Sequence, residues 1–215
     1  MNSRCRGGRS NPAVEHELGS CRAAEREIDM GVREIPVDEI TQVVRRLCIE
    51  ANTVLGDNTP AVIHTSIVPG DRIKVALAAK GFGSENMSQV ALFPPAHGIE
   101  GIKKFVVGRV DASGPNPCPP VVVGVGIGGT MEKAAILSKK SLLRPIGHRH
   151  PNPRVARLET EILEEINHLG IGPQGLGGRV TAFNVHIETY PTHIGRIPVA
   201  VNLQCHSGRH KESVI

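Results

Sequence analysis

Residues 113–130 constrain the fold more than any other stretch of the chain. Ser-Gly-Pro-Asn-Pro-Cys-Pro-Pro runs straight into Val-Val-Val-Gly-Val-Gly-Ile-Gly-Gly-Thr. Pro117, Pro119 and Pro120 fix their φ angles and carry no N–H, so Cys118 sits on a stiff, non-helical segment. Residues 121–126 are apolar and largely β-branched, which marks a strand buried on both faces. The glycines that follow, ending in Gly128-Gly129-Thr130, are predicted to form a loop that opens a helix over 131–143.

The flanking sequence supplies the other elements. Asp38 caps a predicted helix to about Asn52, with Ile40, Val43, Val44 and Leu47 at three- and four-residue spacing. Cys48 lies beside Val44 on that apolar face and reads as a small buried hydrophobe. Residues 61–68 and 73–78 are strand-like, and the Pro69-Gly70-Asp71 turn between them predicts an antiparallel hairpin. The polar, glycine-rich segment 80–88 exposes backbone N–H groups that suit an anion, or serves as an ordinary connection. Helices are predicted at 97–112 and through Leu158, Ile162, Leu163, Ile166 and Leu169, and strands at 180–188 and 197–203. The mixture of hairpin and βα units predicts an α/β fold, a single domain with a mixed β-sheet flanked by helices. That domain spans residues 34–215. Residues 1–33 lack apolar periodicity and are expected to be a disordered N-terminal extension.

Composition narrows the partners. The chain has 215 residues, four Phe, one Tyr and no Trp, so aromatic platforms for stacking bases are nearly absent. Its net charge of +4 has no accompanying basic stripe, and no nucleic-acid partner is expected. No apolar run reaches the roughly 18–20 residues that a membrane-spanning helix needs, so no membrane partner is expected. Five cysteines at irregular positions do not form a secreted disulfide framework, which predicts a reducing, cytoplasmic location.

Three motifs carry chemistry. Gly124-Val-Gly126-Ile-Gly128-Gly129 fits the dinucleotide pattern, but the acidic residue expected about 20 positions later is missing. Cys205 lies in Gln-Cys-His-Ser-Gly-Arg-His, just past a strand, where neighbouring positive charge favours thiolate. Cys118 and Cys205, both on loops at strand ends, could converge on a metal such as zinc, but with no C-x-x-C pair the spacing alone reads as two unrelated buried cysteines. His193, in Pro-Thr-His-Ile-Gly, is a lone histidine at a turn before the last strand.

Taken together, seven strings resemble the alpha part of class I, iron–sulfur-dependent fumarate hydratase, and of its relative L-tartrate dehydratase. They are Gly-Asp-Asn-Thr-Pro-Ala-Val-Ile-His (56–64), Lys-Gly-Phe-Gly-Ser-Glu-Asn-Met-Ser (80–88), Gly-Pro-Asn-Pro-Cys-Pro-Pro (114–120), Gly-Val-Gly-Ile-Gly-Gly-Thr (124–130), Gly-Ile-Gly-Pro-Gln-Gly-Leu-Gly-Gly (170–178), Pro-Thr-His-Ile (191–194) and Cys-His-Ser-Gly-Arg-His (205–210). The resemblance implies an iron–sulfur hydro-lyase of alpha type, with a [4Fe–4S] cluster held by three cysteines, two of which match Cys118 and Cys205. It implies that His193 contacts a dicarboxylate substrate catalytically, and that Gly81, Gly83 and Ser84 approach the substrate carboxylate. It also implies a beta subunit as partner, in a heterotetramer or homo-oligomer. The glycine run 124–129 then packs behind the site. Family members carry a Cys-Gln-Asp-Thr-Gly motif between the N-terminal helix and the Gly-Asp-Asn-Thr-Pro stretch. Here a segment after about residue 52 is lacking, and with it the third cluster cysteine. Cys48 precedes that gap and is not the missing ligand. A catalytically inactive remnant that only scaffolds a beta subunit is the alternative reading.

Overall fold

The computed structural model describes residues 13–19 and 62–215; the predicted helix at 38–52, Cys48, Cys5 and Cys21 lie outside them. Two compact units result, each built on a four-stranded mixed sheet. The α/β class and the mixed pairing hold, while the strands divide between two sheets instead of one.

The first unit contains β1 (Ala13–Gly19), β2 (Val62–Val68), β3 (Ile73–Ala79) and β8 (Arg209–Val214), in the order β2-β1-β3-β8. β1 runs antiparallel to β2 and parallel to β3, so it separates the two strands expected to pair as a hairpin. The four residues between β2 and β3 can span the roughly 10 Å of two strand spacings, which is why a short turn did not force direct pairing. β1 also falls inside residues 1–33, expected to be a disordered extension; the remainder of that stretch lies outside the described residues.

The second unit, Lys80–Gly208, holds the stretch of residues 113–130. Its elements are α1 (Phe82–Glu85), β4 (Gln89–Phe93), α2 (Gly98–Ser113), β5 (Val121–Gly129), α3 (Met131–Ser141), α4 (Pro153–His168), β6 (Ala182–Thr192) and β7 (Ile197–Gln204). The strand order is β4-β7-β5-β6, with β5 parallel to β6 and antiparallel to β7. β5 is longer than predicted: residues 127–129, with Gly128 and Gly129, continue the strand and do not form a loop.

The two faces of β5 explain its sequence. Val121, Val123 and Val125 point to a core shared with Ile102, Val106 and Val110 of α2 and Ile162 and Ile166 of α4. Those helices place their apolar residues three and four apart on the buried stripe. On the other face, a Cβ at Gly124 would lie 2.2 Å from the Ser138 carbonyl oxygen, and one at Gly126 2.0 Å from that of Ala134. The glycine alternation is therefore a seat for α3, whose backbone lies too close to admit any side chain. The resemblance to a nucleotide loop is a by-product of that period-two pattern.

The α3 side of the sheet is polar where the opposite side is apolar. Asn184, His186 and Asn202 are all buried there, and the Asn184 amide meets His186 Nε2 at 2.9 Å. Burial, reinforced by the charge of Arg144, pushes the His186 imidazole from 6.5 down to about 4. The unfolded chain takes up that proton below about pH 6.5, the folded chain only below about 4. Stability is thus fully present above pH 6.5 and falls as the pH drops through that window, by on the order of 3 kcal/mol. Denaturant midpoints between pH 7 and pH 4.5 should fall more steeply for the parent than for His186→Gln; parallel slopes would refute this assignment.

Candidate functional site

Strand direction brings the two cysteines to one edge of the second sheet. Cys118 precedes β5 and Cys205 follows β7, and these strands are antiparallel, with Val122 opposite Gln204. The start of one strand therefore meets the end of the other. Hydrogen bonds join the loops: His206 Nδ1 lies 2.9 Å from the Cys118 carbonyl oxygen, and the His206 backbone N–H donates to the same oxygen at 3.4 Å.

The Cys118 loop is held from both sides. Pro117 and Pro119 are buried while Cys118 between them is exposed. Cys118 adopts φ 55°, a left-handed conformation that costs a residue with a Cβ roughly 1–2 kcal/mol. Its N–H donates to the Pro115 carbonyl at 3.0 Å. Gln174, the other non-glycine residue with positive φ among the described residues, braces the next turn of chain. Its backbone N–H donates to the Pro119 carbonyl at 2.8 Å, and its side-chain amide meets His206 Nδ1 at 3.2 Å. The glycine loop of residues 170–178 packs in closely enough that a Cβ on Gly175 would strike Pro115 at 2.5 Å. Strained backbone held by several independent contacts is characteristic of sites where geometry matters more than stability.

The Gly81–Ser84 turn joins the same edge. A Cβ on Gly83 would lie 3.2 Å from the Asn116 carbonyl oxygen, so this turn lies against the Cys118 loop. Gly81 and Gly83 are exposed, and nothing lies within 4 Å of a Cβ placed on Gly81. Ser84 is buried: its hydroxyl donates to the Gly81 carbonyl at 2.8 Å and accepts from Lys80 at 3.1 Å. Its side chain closes the turn.

Behind the turn lies a charged cluster that the sequence reading did not assign. Lys80 Nζ donates to the Leu203 carbonyl at 2.6 Å and lies 3.2 Å from Glu85 Oε2. Lys139 of α3 approaches both Glu85 carboxylate oxygens at 2.7 Å. Burial drives the Lys80 ammonium down to about 8, against the opposing attraction of Glu85. Glu85 stays below the ordinary carboxylate range, because hydrogen bonds and charge from Lys139 and Lys80 outweigh its own burial. The available signal was the placement of Lys80 and Glu85 around the glycines in one short motif.

His193 is not brought to this edge. It follows β6, whose Thr192 pairs with Gly129 at the far end of β5. Seven residues of strand separate Val122 from Gly129, about 23 Å at roughly 3.3 Å per residue. His193 is exposed, and its Nδ1 accepts from the Gly195 N–H at 3.0 Å.

As a metal centre, this edge offers an exposed thiol on Cys118 and a half-buried one on Cys205, whose Sγ lies 3.1 Å from Ser207 Oγ. Two thiols on hydrogen-bonded loops fit two corners of an iron–sulfur ligand set. Among the described residues no third histidine, cysteine, aspartate or glutamate completes a metal-binding group. No helix among them is long and apolar enough to cross a membrane.

Comparison with known proteins bears on this arrangement. The family described as Fumarate hydratase (Fumerase) matches residues 14–214. A protein of Methanocaldococcus jannaschii, named provisionally as L(+)-tartrate dehydratase subunit alpha, is 50% identical over 158 residues, covering 73% of this chain and 55% of that protein. The L(+)-tartrate dehydratase subunit alpha of Escherichia coli (strain K12) is 42% identical over 154 residues, covering 72% of this chain and 51% of that protein. The chain thus spans about half the length of the curated relatives it matches.

Proposed function

Because the chain belongs to the fumarate hydratase (Fumerase) family and aligns with its alpha subunits, we propose that it is the alpha subunit of an iron–sulfur-dependent hydro-lyase. The reaction removes water from a 2-hydroxy dicarboxylate (malate or tartrate), breaking one C–OH and one neighbouring C–H bond to leave C=C, or adds it back. One observation carries the reading: the Cys118, Cys205 and Gly81–Ser84 segments, far apart in sequence, meet at one edge of one sheet.

Cys118 and Cys205 would hold two corners of a [4Fe–4S] cluster. When bound, such a cluster supplies a Lewis-acidic iron that makes hydroxide a better leaving group. The strained Cys118 loop presents its thiol in one direction, which reduces the freedom lost on ligation. Gly81 and Gly83 leave backbone open to a substrate carboxylate. The arginines and the proton-transfer group are expected from a beta subunit. His193, at the opposite end of β5, reaches a cluster site only when it belongs to a second copy of the chain. The assembly therefore contains at least two alpha chains, and a reducing cytoplasm is its natural setting. The scaffold reading rests on the segment after about residue 52 that the family resemblance finds lacking.

The full chain co-expressed with its beta partner and reconstituted anaerobically tests this directly. Bound iron and sulfide together with turnover of malate, fumarate or tartrate are expected. Co-purification with the beta chain but neither cluster nor turnover would establish the scaffold instead. In the same assay, His193→Ala and Cys118→Ser chains should each be inactive alone. Mixed in equal amounts, they should recover up to about a quarter of parent activity, because half the dimers hold one intact site. No recovery would place His193 outside the site.

A further inference from the structure

We propose that Lys80 is a positioning residue that locks the Gly81–Ser84 turn to the end of β7, so that the carboxylate-facing backbone and the Cys205 thiol move as one body. This rests on the reading of that edge as the substrate and cluster site. It goes beyond that reading because it assigns Lys80 a holding role through Leu203, Ser84 and Glu85.

The argument starts from where β4 stops. β4 pairs with β7 only as far as Gln89 opposite Val201, so Leu203 extends past its neighbour on that side. The Leu203 carbonyl is taken by Lys80 Nζ at 2.6 Å, two residues before Cys205. The same ammonium donates to Ser84 Oγ at 3.1 Å, and Ser84 in turn donates to the Gly81 carbonyl at 2.8 Å. Glu85, held at 3.2 Å from Lys80 and bidentate to Lys139 at 2.7 Å, ties the group to α3. One cation therefore bridges a strand end, a glycine turn and a helix.

A lone point charge with several donors suits that task. The Lys80 side chain is only 8% exposed, and its three N–H donors match the three acceptors, Leu203 O, Ser84 Oγ and Glu85 Oε2. Charged hydrogen bonds in a dry setting are stronger than neutral ones and fix geometry more tightly. The turn itself is short and glycine-rich, with Phe82 exposed, so Lys80 is a direct tie between it and the end of β7. Without the anchor, Gly81 and Gly83 keep their sequence and lose their fixed distance from Cys205.

Lys80→Met, Lys80→Arg and the parent, each as the full chain with its beta partner, provide the test. In the absence of substrate, amide hydrogen exchange over residues 81–88 and 203–207 should quicken about tenfold or more in Lys80→Met, while β5 amides exchange as in the parent. Lys80→Arg, which keeps the donors, should restore most of the protection. In the cluster-loaded enzyme, Lys80→Met should raise KM about tenfold with a smaller fall in kcat. If Lys80→Met does not fold, Ser84→Ala removes one acceptor, and exchange should quicken over residues 81–85 alone. Parent-like exchange over both segments in Lys80→Met overturns the proposal, as does equal loosening of β5, which would mean a general structural role. The exchange measurement needs no turnover. A parent without activity but with the local effect sinks the hydro-lyase reading and leaves the lock standing; an active parent with unmoved exchange does the reverse.

Discussion

Replacing Cys118 with glycine is expected to leave the chain at least as stable as the parent and unable to retain an iron–sulfur cluster. The two effects have separate causes at one residue. Cys118 holds φ 55°, where a Cβ is penalised and glycine is not. Relief of that strain, partly offset by the greater freedom of glycine in the unfolded chain, should stabilise by up to about 1 kcal/mol. Cys118 is exposed, so removing its thiol should cost the fold little. Cys118→Ser separates the contributions: it keeps the Cβ and the strain, and should lose the cluster with stability unchanged to within about 0.5 kcal/mol. Bound iron per chain after anaerobic reconstitution and a denaturant midpoint give both readouts. A Cys118→Gly chain that retains parent levels of iron, or that unfolds markedly more easily, would refute the assignment. The expected trade, stability gained where function is lost, is the mark of a backbone held for its chemistry.

Removing the Arg144 guanidinium should produce the largest loss of stability of any single change considered for this chain. Glu159 of α4 is fully buried, and Arg144 meets its carboxylate at 2.5 Å. The same guanidinium pairs with Glu188 and donates to the Ile187 carbonyl at 2.9 Å. Glu159 also accepts from the backbone N–H of Ile187 at 2.8 Å and of His150 at 3.0 Å. These bonds fasten α4 and the chain after α3 to β6, the edge strand of the second sheet. Arg144→Ala strands a buried carboxylate and should destabilise by about 3–5 kcal/mol. Arg144→Met with Glu159→Leu removes both charges and should recover a large part of that loss, since a buried pair is often replaceable by apolar side chains. Equilibrium urea unfolding of the three chains decides it; a cost below about 1 kcal/mol for Arg144→Ala would mean that solvent reaches Glu159 freely.

Several elements were legible before any tertiary information. The helices around Ile102–Val110 and Leu158–Ile166 follow from three- and four-residue apolar spacing, and the β5 core from its run of valines. The proline-flanked cysteine was recognisable as a stiff segment because proline acts on its own φ and on its neighbour's conformation. Other readings failed for a common reason. Gly128 and Gly129 looked like a loop, because nothing local distinguishes a turn from a strand end whose glycines make room for neighbours, here Tyr190 and Lys133. The segments 62–68 and 73–79 looked like a hairpin, because β1, which separates them, comes from more than forty positions earlier in the chain.

The sequence by itself determined the family, the local elements and the chemical identity of the groups at issue: two cysteines on strand-end loops, a glycine turn, a histidine before the last strand. Tertiary structure alone decided which of these share an edge of the second sheet. Antiparallel pairing of β5 with β7 places Cys118 beside Cys205. Parallel pairing of β5 with β6 carries His193 to the other end of the same sheet. Strand direction and order are set by long-range pairing and by the helices that cover both faces, and no local spacing rule encodes them.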